Sequence, residues 1–238
     1  MLRFLLTAPV VAANTLAFGL AAFLAGLLDR RGTLARRLVG WWSRSLLFFW
    51  GVKVRVEGRG DLPAGAALYA ANHQSALDIP ILFGYLPVDF RIVHKRSLYL
   101  IPLVGWYLWA GGHISIDRRR AFRAKRSMAR ASARIRSGTS LCVFPEGTRS
   151  PDERVQHFKR GSFVLALQAG VPVVPVSLVG VKRVAPRGLM RLHPGTVTLI
   201  VHPAVATGQR PVEDAALLAD EIRQVVARGC AAVLPRPA

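Results

Sequence analysis

The sequence predicts an α/β fold: a mixed, mostly parallel central sheet flanked by helices, preceded by a hydrophobic N-terminal helical membrane segment. Three observations predict it. Residues 4–28 carry no charged side chain. From residue 52 onward, short runs of strand length are apolar either alternately or almost continuously, and the continuous kind marks strands buried on both faces. Helix-patterned stretches lie between most of these runs, as a sheet with helical crossovers requires. The chain divides into 1–50, N-terminal hydrophobic and interfacial helices that anchor to a membrane, and 51–238, the α/β domain.

The first segment, FLLTAPVVAANTLAFGLAAFLAGLL, would reach ~37 Å as one helix, more than the ~30 Å hydrocarbon core of a bilayer. Three readings compete: a single spanning helix, a monotopic hairpin or in-plane segment interrupted at Pro9, Asn14 and Gly19, and a cleaved signal peptide. The last ranks lowest, because the apolar run is too long and Arg30, Arg31, Arg36 and Arg37 follow it at once. That cluster outweighs Arg3, so the positive-inside rule keeps the downstream chain cytoplasmic. The expected location is the cytoplasmic membrane, with the α/β domain on its cytoplasmic face. Next comes WWSRSLLFFWGVKV, too short to span. Its tryptophans suit a membrane interface, and a helix packed on the domain is the competing reading.

Seven strands are expected, at 52–58, 66–71, 90–94, 113–117, 140–144, 173–179 and 196–201. A final helix is expected from about Val212 to Val233. Residues 118–137 read as a helix ended by Gly138, with nine basic residues and no acidic one. Arg119, Arg123, Arg126, Arg130 and Arg134 recur at helical spacing. This face is either solvated or attracts anionic lipid, a phosphorylated donor or an acidic carrier.

The formal charge of +20 and the pI near 11.6 call for anionic partners, and a mean hydropathy of +0.31 suggests lipid contact. Nucleic acid fits poorly, since no zinc-finger, RNP-like or basic-zipper pattern occurs. Two cysteines, 142 and 230, offer neither a disulfide framework nor a zinc site, so no metal is expected.

Chemistry concentrates in two corners. NHQSALD (72–78) follows an apolar strand. On a continuous helix His73 and Asp78 would diverge by roughly 140°, so they meet only if His73 lies in the loop and Asp78 in the first helical turn. Pro80 supports a helix starting nearby. The competing reading is purely structural: Ser75 and Asp78 form a capping box, or Asp78 is the N-cap, which places Pro80 better. FPEGTRS (144–150) follows another strand. There Gly147 permits close backbone approach, Arg149 can fork onto a phosphate, and Glu146 places a carboxylate in the same turn. GHISIDR (112–118) ends a third strand with Asp117 and Arg118, a second candidate phosphate ligand. VPVVPVSL (171–178), with two prolines, suits an edge or a bend, or a plain core strand.

Together NHxxxxD, GxIxIDR, FPEGTRS and VPVVPVSL, in this order, resemble the four blocks of the glycerolipid acyltransferases, most nearly the bacterial 1-acyl-sn-glycerol-3-phosphate acyltransferases. The likeness runs from about 50 to 205, and KRSLYLIPLVGW, with Lys95, Pro102 and Gly105, matches a further family segment. The resemblance implies that 51–238 is an acyltransferase catalytic domain. It would move a fatty acyl group from acyl-CoA or acyl carrier protein to a lysophospholipid hydroxyl, giving phosphatidic acid from lysophosphatidic acid, without a metal or cofactor. His73 and Asp78 are the implied catalytic pair. Arg118, Glu146, Gly147, Thr148, Arg149 and Lys95 are the implied substrate-binding residues, and anionic membrane lipids are implied partners. Glycerol-3-phosphate, a lyso-ornithine lipid or another lysolipid is the alternative acceptor. Hydrolysis of the thioester, or simple membrane binding, is the alternative activity.

Overall fold

The computed structural model describes residues 2–29, 32–58, 60, 62–101, 104–116, 121–186 and 192–233. All seven expected strands form: β1 (Val52–Glu57), β2 (Leu68–Ala71), β3 (Phe90–Lys95), β4 (Ile114–Ile116), β5 (Ser140–Val143), β6 (Val173–Val179) and β7 (Gly195–Val201). They make a single sheet among the described residues, ordered β1-β7-β6-β2-β5-β3-β4. Strands β6, β2, β5, β3 and β4 are parallel. The parallel pair β1 and β7 joins them through an antiparallel β6–β7 ladder. The sheet is therefore mixed and mostly parallel.

Side chains alternate across the sheet. Tyr69, Ala71, Cys142, Val174 and Val176 face one core, shared with α1 (Leu2–Leu28), α2 (Thr33–Phe49), α3 (Asp78–Tyr85) and α4 (Val104–Ala110). Leu68, Ala70, Leu141 and Val143 face the other, under α5 (Ala121–Arg136), α6 (Gly161–Ala169) and α8 (Ala215–Val233). A short helix, α7 (Val181–Val184), follows β6. The basic stretch is helical over Ala121–Arg136, with 118–120 outside the described residues, and its apolar side is spent on the second core through Ala131 and Ile135.

Of the readings of VPVVPVSL the plain core strand holds, not the edge: β6 lies between β7 and β2 and is buried throughout. Pro175 is tolerated because it stands between the isolated Val173–Val205 bridge and the β7 ladder that begins at Val176, where regular pairing lapses. Nor is α1 broken at Pro9, Asn14 or Gly19; it is a continuous helix of 27 residues. Asn14 is engaged sideways, donating to Ser45 Oγ at 3.0 Å, and Thr15 accepts from Trp42 Nε1 at 3.1 Å. The hairpin closes instead between α1 and α2. Gly32 has φ +69° there, and Leu34 N–H donates to Asp29 Oδ2 at 3.0 Å. One face of α2 is core (Ala35, Val39, Leu46, Leu47), as the packed reading expects, while Trp41 and Phe48 are exposed on the other.

Helix α8 lies close on β6 at Gly229, where an added Cβ would sit 2.6 Å from both the His202 ring and Ser177 Oγ. Gly229→Ala is therefore expected to destabilise by ~1–3 kcal/mol through overpacking. A thermal melt would show the lowered Tm.

Candidate active site

A parallel sheet brings the carboxyl ends of β2, β5, β3 and β4 to one edge, and the loops beyond them meet there. After β2, Asn72 is fully buried and clamps the backbone of β6: its Nδ2 donates to Leu178 O at 3.0 Å, and Leu178 N–H donates to its Oδ1 at 2.8 Å. This fixes the point from which His73 departs.

His73 Nδ1 lies 2.7 Å from Asp78 Oδ2. The same oxygen accepts the backbone N–H groups of Gln74 at 2.6 Å and Ser75 at 2.9 Å. An oxygen already receiving two N–H donors is an acceptor, so His73 carries its proton on Nδ1 and keeps a lone pair on Nε2. The Asp78 side chain is 0% exposed and that of His73 is 19% exposed, so the carboxylate is dry and the imidazole reaches the surface. Asp78 is not the N-cap, contrary to the favoured reading. The chain turns at Ala76–Leu77 before α3, with Leu77 as the N-cap and no side chain capping it. Asp78 Oδ2 accepts Ser75 N–H, but Ser75 Oγ accepts from Leu77 N–H at 3.4 Å and not from Asp78 N–H, so only half of a capping box forms. Pro80 stands inside the first turn, where its missing N–H is harmless. One carboxylate thus ties down the loop before the helix and holds the imidazole.

The FPEGTRS loop grips the same histidine. Glu146 Oε1 accepts His73 N–H at 3.1 Å, and Ser150 N–H donates to His73 O at 2.8 Å. The Phe144 ring stacks on the imidazole, with centroids 4.1 Å apart. Glu146 is buried and turned inward. Gly147 takes φ +79°, a left-handed conformation that glycine adopts without strain. Thr148 and Arg149 are exposed. No hydrogen bond or ion pair to another described residue fixes Arg149, which leaves its guanidinium available. Lys95 is exposed at the end of β3. Arg118, with Asp117, lies outside the described residues, as does Pro102.

Several supporting residues were not singled out from sequence. Phe144 read only as a strand end, and Asn72 only as a motif letter. Lys182, on α7, donates to Ser150 O and Pro151 O, both at 2.8 Å, and Gln74 Nε2 donates to Glu153 O at 3.0 Å; together they hold down the loop after Arg149. These contacts cross 32 and 79 residues of sequence, so no local spacing signals them.

Burial raises the Glu146 carboxyl from the usual 4.5 to about 7, helped by the negative charges of Asp78 and Asp152 and opposed by hydrogen bonds from the His73 and Gln156 backbones. The native state therefore holds this proton more tightly than the unfolded chain, and stability falls as pH rises from about 4.5 to about 7 before levelling. Glu146→Gln keeps an acceptor oxygen for His73 N–H and is expected to remove that slope, readable in melts across the interval. Glu146→Ala frees the His73 backbone and is expected to lower turnover on the order of 10²-fold, the cost of ~1 Å of misplacement.

Cys142 and Cys230 are buried, and burial pushes each thiol up to about 12, so neither is poised as a nucleophile. Of the other histidines, His113 accepts Ile92 N–H on Nδ1, and His202 pairs with Ser177 at 2.7 Å; both serve packing. Among the described residues no group of His, Cys, Asp and Glu could hold a metal. The arrangement can take a proton from a hydroxyl on Nε2, with Arg149 exposed on the loop that holds His73.

Residues 53–179 match the acyltransferase family profile. The chain is 38% identical over 204 residues to a 1-acyl-sn-glycerol-3-phosphate acyltransferase of Chlamydomonas reinhardtii, covering 84% of this chain and 59% of that protein. It is 33% identical to the human 1-acyl-sn-glycerol-3-phosphate acyltransferase beta, covering 77% and 66%. Against the chloroplastic LPAT1 of Arabidopsis thaliana the figures are 35% identity, 69% of this chain and 46% of that protein. The chain thus spans about half to two thirds of the length of these relatives. The crystal structure of the 1-acyl-sn-glycerophosphate acyltransferase of Thermotoga maritima superposes with a TM-score of 0.81 at 30% identity, covering 100% of this chain and 95% of that one. The chain belongs to the acyltransferase family.

Proposed function

We propose that this protein transfers a fatty acyl group from acyl-CoA or acyl carrier protein to the sn-2 hydroxyl of 1-acyl-glycerol-3-phosphate, giving phosphatidic acid. The observation that carries the reading is His73, with Nδ1 fixed by Asp78 and Nε2 without a hydrogen bond to any described residue at the sheet edge. The names of the relatives support the same substrate.

In this mechanism the acceptor hydroxyl gives its proton to His73 Nε2 as its oxygen attacks the thioester carbonyl. The tetrahedral intermediate then collapses, the C–S bond breaks, and the departing thiolate takes the proton back from His73. Asp78 holds the tautomer and stabilises the imidazolium. The substrate brings its own nucleophile, so no enzyme serine or cysteine is needed. Arg149, with Arg118 and Lys95, binds the acceptor phosphate, while Gly147 and Thr148 let it approach the loop. Glu146, through the His73 backbone, acts as a positioning residue. No metal or cofactor takes part. The acyl donor, the lysophospholipid and anionic membrane lipids are the partners. Helix α1 is long and apolar enough to cross a membrane from Thr7 to Leu28. It anchors the enzyme in the cytoplasmic membrane, with the sheet on the cytoplasmic side.

The test supplies oleoyl- or palmitoyl-CoA and lysophosphatidic acid to the purified full-length protein. Phosphatidic acid is expected. Thiol release without it would replace the acceptor or point to hydrolysis, and no turnover with any thioester would end the enzyme reading. Arg149→Ala is expected to raise KM for the acceptor about tenfold or more, the loss of one charge-assisted pair, with little change in donor KM. Initial rates against each substrate check this.

A further inference from the structure

The catalytic side of the sheet carries a second apolar surface that no core explains. After β3 the chain forms a 3₁₀ turn (Arg96–Leu100) and then α4. Leu100 is 84% exposed and Trp109 65%, and Ile101, Val104 and Trp106 are exposed as well. This is not a loose loop. An added Cβ at Gly105 would lie 2.3 Å from Tyr99 O, so turn and helix interlock as one platform. Large side chains clustered in the open mark a contact surface.

The platform adjoins α1. The Trp106 ring packs on Phe23 at 5.6 Å between centroids. Leu20, Leu24 and Leu27 flank Phe23 at helical spacing, and all three are exposed. Exposed apolar side chains on α1 and α4 thus meet through the Phe23–Trp106 contact. The composition of the platform matches a bilayer boundary: two tryptophans, aliphatic tips and a basic margin of Lys95 and Arg96, both exposed. A protein partner would need no such contact with a helix of membrane-spanning length.

We infer that the platform formed by Leu100, Ile101, Val104, Trp106 and Trp109 inserts into the lipid interface as a second membrane contact, separate from the N-terminal helix. It seats the face of the sheet that bears α1, α2 and α4 against the bilayer. The opposite face, with the arginines of α5, then looks to the aqueous side. Because β3 ends on the same edge as β2 and β5, the platform also sits where a lipid-borne acceptor would pass from the leaflet toward His73.

The inference rests on the membrane placement of α1 proposed above, and its test lets the two fail separately. Single cysteines replace Leu20 on α1, Leu100 and Trp109 on the platform, and Leu217, which is 71% exposed on α8 across the sheet. The native thiols are buried and escape labelling. Each variant is spin-labelled and reconstituted full-length into vesicles containing anionic lipid. Collision with oxygen is then compared with collision with a water-soluble nickel complex. Oxygen is expected to dominate at 20, 100 and 109 and nickel at 217. Nickel dominating at both 100 and 109, with oxygen still dominating at 20, would overturn the inference and leave the anchor. Nickel dominating at all four would overturn both. Exclusion of both agents at 100 and 109 would mean a protein covers the platform, and would also overturn it. Two independent platform positions guard against one label disturbing the fold, and no readout depends on turnover.

Discussion

His73→Ala is expected to lower acyl transfer by about 10²–10⁴-fold, the usual contribution of a positioned general base, while the protein stays folded. No neighbouring group can replace it. The Cys142 thiol is buried and pushed up to about 12, and Glu146 faces inward onto the His73 backbone N–H. The structural cost is small. The ring is partly exposed and leaves behind a stacking contact with Phe144 and one hydrogen bond, worth ~1 kcal/mol. Asp78 Oδ2 keeps its two backbone donors, from Gln74 and Ser75. The check is phosphatidic acid formation and thiol release by wild type and variant in parallel, with melts to confirm folding. A variant as active as wild type would remove the histidine from the chemistry.

The strands were legible because buried and half-buried strands write their burial directly into apolar runs, and each of the seven lies where that pattern puts it. The His73–Asp78 meeting was legible because helical geometry forbids it on a continuous helix and Pro80 points to a helix beginning nearby. The choice of cap was less legible. Neither Asp78 nor Ser75 caps the helix: Leu77 is the N-cap, and the Asp78 carboxylate turns back onto the loop, a direction that spacing does not encode. Pro175 in a central strand contradicts the local rule, because the gap that accommodates it is made by β7. The family resemblance implied a substrate-binding role for Glu146, and the residues of its turn gave no sign of a backbone partner. Its inward turn toward His73 spans 73 residues and has no signature in local spacing. Lys182 and Asn72 escaped for the same reason.

Asp78 supports the second large effect, and a double-substitution cycle reads it. Asp78→Asn has one sensible orientation. The oxygen that receives Gln74 N–H, Ser75 N–H and His73 Nδ1 must remain an oxygen, since two of those donors are fixed backbone groups. The new amide nitrogen then occupies the position of Oδ1, which is buried without a partner among the described residues. An unsatisfied donor there costs ~1–3 kcal/mol of stability. Geometry and tautomer survive, and what is lost is the negative charge facing the imidazolium. Turnover should drop by roughly 10²-fold or more, with little effect on KM, because the charge matters only once the proton has moved. Asp78→Ala also releases the loop and should approach the loss of His73→Ala, about 10²–10⁴-fold. If the two side chains act as a unit, the double variant should be no slower than His73→Ala alone. Rates for wild type, both alanine variants and the double decide it. Losses that multiply would mean that Asp78 acts on the loop independently of His73, and that the 2.7 Å contact is a helix-entry feature and not half of a dyad.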